Sequence, residues 1–154
     1  MYASLLFFHS LFRWLLLLSL LYAIYRGLRG WIRRLPFVVP DNRARHFTAT
    51  IAHIQLVLGY TLYFNSPLIK YFRSNYTRAM QQGDAMFFGM IHILVMTAAI
   101  IVITIGSASA KRKKTDAAKF KTMTCWYMAA LFLIFIAIPW PFSPFANRPY
   151  FRNF

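Results

Sequence analysis

Apolar residues dominate four stretches of the chain, at about 2–25, 46–65, 85–106 and 122–140, and segments carrying Arg, Lys, Pro and Asn separate them. Each stretch is close to the ~20 residues that an α-helix needs to cross a hydrocarbon layer ~30 Å thick. Short connections join them. The pattern predicts an all-α membrane protein, an up-down four-helix transmembrane bundle over 1–140 with a Pro- and aromatic-rich extended tail at 141–154. In that topology the first and third helices run parallel and face each other across a diagonal. No internal repeat, Gly-rich phosphate loop or nucleophile elbow interrupts the pattern.

Local signals set the expected boundaries. Tyr22 and Tyr25 close the first span as an interfacial pair, and an amphipathic stretch follows in which Trp31 lies at headgroup level. Pro36 and Pro40 break that stretch, after which Asp41 is the expected N-cap of a helix entering the membrane near His46. Asn65, Ser66 and Pro67 stop it. Residues 66–84 read as an outer loop with a short amphipathic piece around Ile69–Tyr76, and Asp84 is the expected cap of the third helix. The third span leaves through Gly106, and the fourth runs from near Thr122 to Pro139, Trp140 and Pro141, where the prolines forbid continuation. The tail is expected to pack on another surface, such as a neighbouring subunit.

Composition narrows the class. Of 154 residues 59% are hydrophobic and 19% aromatic, and three are acidic, which is more apolar surface than a water-soluble domain of this length can hide. The start of the chain has no basic n-region and no small-residue cleavage site after its apolar run, so a cleaved leader is not expected. Cys125 stands alone, which rules out a disulfide framework and a Cys-based metal site. A net charge of +15 would suggest nucleic acid in a soluble protein, but here twelve basic residues fall in the first and third loops and five in the second loop and tail. Positive-inside bias then puts both termini on the outer, periplasmic side, and anionic lipid headgroups rather than nucleic acid satisfy the charge.

The candidate chemistry lies inside the spans. His9, His53 and His92 each sit within an apolar run, where an ionisable side chain is costly and a neutral imidazole is a good ligand for a metal or haem iron. At a rise of 1.5 Å per residue, His9 and His92 come out about 10 Å below the outer surface and His53 about 18 Å. Two imidazoles at one level on diagonal helices can ligate a haem iron from both sides, a geometry suited to electron transfer. His53 is the alternative ligand. Gly59 and Gly89 are expected to give the macrocycle room, Gly89 from the same face as His92. Arg13 shares a face with His9 and offers a partner to a haem propionate or quinone carbonyl, and Gln55 can donate to the same ligand or bridge helices. A copper or zinc site using all three histidines is a further option, while His46 reads as interfacial. Ser10 follows His9 directly and is expected to point elsewhere.

Several of these residues together resemble small four-span membrane proteins of Bacteroidetes-type bacteria that are commonly labelled cytochrome b. The likeness rests on His9 with Ser10, Arg13 and Trp14, on Ala52, His53, Ile54 and Gln55 with Gly59 and Leu62–Phe64, on His92, on Ile103–Gly106, and on Ile138 to Trp140. It implies a bacterial inner-membrane protein with b-type haem at the intramembrane histidines. Ile91 stands where members often carry Glu, which weakens a proton-transfer role there. The expected function is therefore a haem b electron-transfer protein, a small subunit of a respiratory or photosynthetic complex exchanging electrons with quinone. The alternative is a non-catalytic accessory subunit whose histidines only join helices. Catalysis by the chain alone is not expected, because Asp41, Asp84 and Asp116 lie at membrane edges and form no carboxylate pair.

Overall fold

The computed structural model describes residues 2–141 and Ala146; the rest of the tail, expected to dock on a partner, lies outside the described residues. The order is α1 (Tyr2–Ile32), α2 (Val39–Asn65), α3 (Pro67–Ser74), α4 (Tyr76–Ala79), α5 (Gly83–Met86), a π turn (Phe87–Ile91), α6 (His92–Arg112) and α7 (Asp116–Ala137). No strand occurs among the described residues. Helix α5, the π turn and α6 form one continuous helix from Gly83 to Arg112, and with α1, α2 and α7 it makes four helices long and apolar enough to cross a membrane. The protein is an all-α, multi-pass membrane protein. Helix α1 packs against α2 and α7, and α6 against the same two, so α1 and α6 occupy opposite corners of the bundle.

Many large apolar side chains point out, and alanines line several of the helix contacts. Leu18, Val57, Phe64, Leu94 and Phe132 are exposed on the outer face, whereas Ala23, Ala52, Ala99 and Ala130 are fully buried between helices. That distribution suits lipid, where association comes from close packing rather than from hiding apolar groups. A close approach joins α6 to α7: a Cβ added at Gly106 would meet the Trp126 Cβ.

Helix ends differ from the sequence expectation because polar residues near them turn inward. Helix α1 continues past Tyr25 to Ile32, with Gly27 and Gly30 buried against Thr124 and Phe120 of α7. Asp41 is not an N-cap. Val38 holds that place, and Asp41 sits in the first turn of α2, where one carboxylate oxygen accepts from the Val38 N–H at 3.0 Å and the other from Arg26 Nε at 2.8 Å. Asp84 likewise lies in a first turn, with Gln82 at the N-cap position, and α7 begins at Asp116 behind a Thr115 cap rather than near Thr122. Arg45, counted above with the loop charges, is buried: its guanidinium donates to the Ser107 carbonyl at 3.0 Å, to Ser107 Oγ and to Asn42 Oδ1, and Tyr127 donates to the Arg45 carbonyl at 2.6 Å. These bonds tie α2, α6 and α7 together where hydrocarbon would leave them unsatisfied.

Candidate cofactor pocket

The expected His9–His92 pairing places its two residues on the diagonal helices, and their side chains meet there. The ring centroids are 6.4 Å apart with planes at 70°. Both rings line a cavity of about 480 Å³, within the ~300–1,000 Å³ range of small-molecule and cofactor sites. Two metal–nitrogen bonds of about 2 Å, with about 1.1 Å more from each nitrogen to its ring centre, put trans imidazoles roughly 6 Å apart. Direct edge-to-face contact covers the same range. What separates the two cases is whether the ring nitrogens are already satisfied.

His92 follows the π turn, in which its own backbone N–H reaches the Phe87 carbonyl. Its Nδ1 lies 2.8 Å from the carbonyl of Ala137 on α7. A carbonyl only accepts, so Nδ1 carries the proton and Nε2 is bare. Metal-binding imidazoles have the same arrangement, donating their other N–H to a backbone carbonyl. The rings of Phe87 and Phe88 pack beside it at 5.7 and 5.8 Å.

His9 is held differently. Gln55, on α2 and buried, puts its amide nitrogen 3.1 Å from the His9 carbonyl and 3.4 Å from His9 Nε2. His9 Nδ1 and Gln55 Oε1 are both buried with no hydrogen-bond partner. Burying a polar atom without a partner costs about 1–3 kcal/mol, so these two atoms ask for a ligand. A metal at Nδ1 needs the proton on Nε2, which would then need an acceptor other than the Gln55 amide nitrogen that donates to the His9 carbonyl.

The remaining cavity residues supply charge and shape. Arg13 lines it one turn from His9, with Nη2 3.3 Å from Ser10 Oγ and its guanidinium 5.3 Å from the Trp14 ring centre. Ser10 therefore faces the cavity, contrary to expectation: neighbouring helical residues differ by about 100°, which a wide cavity spans. Gly59 also lines it, and a Cβ there would stand 3.3 Å from His9 Cε1. Leu56, Met96 and Ile100 form apolar wall, and at the mouth Tyr2 donates to Ser66 Oγ at 3.5 Å.

Other expected residues lie elsewhere. His53 is on the exposed face of α2, with Nε2 2.9 Å from Thr104 Oγ1. Thr104 donates its own hydroxyl to the Ile100 carbonyl, so His53 is the donor and links α2 to α6. Gly89 is outside the cavity too: a Cβ there would run into the Phe72 ring of α3 at 2.6 Å, and its carbonyl accepts from Tyr63 at 2.9 Å. His46 is exposed. Among the described residues no group of three or more His, Cys, Asp or Glu converges on one point, so the three-histidine copper or zinc centre does not form. Sequence reasoning missed Tyr63 and Phe88 as cavity residues. Aromatic residues are so frequent here that neither stood out.

The fold and site thus define a multi-pass four-helix bundle with a two-imidazole cavity and a guanidinium beside it. Comparison of the chain with protein-family models, curated proteins and solved structures returns no match.

Proposed function

We propose that this is a membrane electron-transfer protein that holds b-type haem between His9 and His92, as a small subunit of a respiratory or photosynthetic complex exchanging electrons with quinone. The carrying observation is that imidazoles from opposite corners of the bundle meet at 6.4 Å on the wall of one cavity. The unpartnered His9 Nδ1 supports it, as does the bare Nε2 left by the bond from His92 to Ala137. Haem iron, when bound, supplies reversible one-electron chemistry. His9 and His92 would be the two side chains that hold the group. Arg13 would pair with a carboxylate of the group, Gly59 would give room beside His9, and the aliphatic wall would keep water out. The basic-residue asymmetry supports both termini outside, and the bacterial inner membrane follows from the resemblance alone.

The test is a reduced-minus-oxidised spectrum of the protein purified after haem-replete expression. A b-type α-band is expected in the parent chain and in His53→Ala, and no band in His9→Ala or His92→Ala. A parent without the band, or a His53→Ala variant that alone loses it, would refute the assignment. One observation favours the accessory-subunit reading: His53 already has a structural partner in Thr104. On that reading all three substitutions leave pigment and complex activity unchanged.

A further inference from the structure

The Ala137 carbonyl that holds His92 is open for a reason written in the sequence. In a continuing helix it would take the N–H of residue 141, but residue 141 is proline and has none. Pro139 acts as well, because a residue before proline is pushed out of the helical region, and Ile138 is extended at φ −74 and ψ 130. The chain therefore leaves the helix before residue 141 could return to Ala137. The same logic frees a second carbonyl: Phe135 would be served by residue 139, again a proline, and the Trp140 indole N–H takes its place at 2.8 Å. Both vacated carbonyls end on side-chain ring N–H donors, one indole and one imidazole.

We infer that Pro139 and Pro141 are positioning residues for His92, keeping the Ala137 carbonyl vacant so that it fixes the proton on Nδ1 and leaves Nε2 bare. The purpose of this arrangement rests on the reading of His92 as a ligand; the tautomer itself does not. The two prolines back each other up. Pro139→Ala lets the helix run on, but Pro141 still offers no N–H. Pro141→Ala restores the N–H but leaves the break at Pro139. Only the double variant returns a backbone donor to Ala137.

The experiment is nitrogen-15 NMR of histidine-labelled full-length protein in lipid nanodiscs without added haem, with His92→Gln identifying the His92 signals. The parent and both single variants should show Nδ1 protonated and Nε2 unprotonated. In Pro139→Ala/Pro141→Ala that signature should fall to less than half of the population. A double variant that keeps the parent signature while the other histidine signals stay native would overturn the inference. So would a parent whose His92 carries its proton on Nε2, or a single variant that already loses the Nδ1 signature, and these hold even if the double variant fails to fold. Because no haem is present, failure here is separate from failure of the haem spectrum.

Discussion

Gly59 offers a sharp distinction between a pocket and a packed core, because enlarging it should change stability and binding in opposite directions. Glycine inside a helix is less favourable than alanine by about 0.5–1 kcal/mol. At Gly59 the added Cβ meets His9 Cε1 at 3.3 Å and Nδ1 at 3.8 Å and no other heavy atom within contact range, so the imidazole has to yield by only a few tenths of an ångström. Gly59→Ala should therefore be neutral or gain up to about 1 kcal/mol. Gly59→Leu adds three further carbons, and these can only enter the cavity beside His9. Overpacking of that kind costs about 1–3 kcal/mol, here borne by the bound group rather than by the empty fold. At about 1.4 kcal/mol per tenfold, haem affinity should fall about 5- to 150-fold. The assays are denaturant unfolding in detergent without haem and absorbance titration with haem. A Gly59→Ala that loses more than about 1 kcal/mol would show that the position is a packing contact. A Gly59→Leu that binds haem like the parent would show that the ligand lies elsewhere.

Gly106 should behave in the opposite way. Its added Cβ would meet Trp126 Cβ and stand 3.7 Å from Trp126 Cα, atoms that cannot turn aside, so Gly106→Ala should cost about 1–3 kcal/mol in the same unfolding assay, and an unchanged midpoint would contradict the α6–α7 contact. Asp41→Ala removes the partner of both Arg26 and the Val38 N–H, and should cost about 1–3 kcal/mol, with the fraying seen as faster amide exchange at the start of α2; unchanged exchange there would count against the contact.

The sequence carried the broad plan well because four apolar runs of membrane length admit few arrangements. The level match of His9 and His92 was legible for a similar reason: depth follows from a constant rise. What escaped was whatever depends on which way a helix faces. Arg26 and Arg45 look like loop charges until the neighbouring helix shows Asp41 and Ser107 opposite them. His53 looks like a third ligand, yet its helix turns it to the outer face, where only Thr104 answers it. Asp41 has the composition of a cap, but Val38 enters the helix first and the carboxylate folds back to serve it. The vacated carbonyl of Ala137 was readable in principle from Pro139 and Pro141, since proline always silences a donor. Which side chain would claim it needed three dimensions.

The π turn before His92 explains one misreading and has its own consequence. Three residues of regular helix turn about 300°, which would set Gly89 and His92 side by side. The wider winding from Phe87 to Ile91 upsets that phase, and Gly89 meets α3 while His92 meets α1. The surplus residue works as a phase shifter between two halves of one span. The half up to Ile91 can keep its register with the short helix α3, and the half from His92 keeps its own bearing on the diagonal partner. Neither constraint has to be compromised for the other.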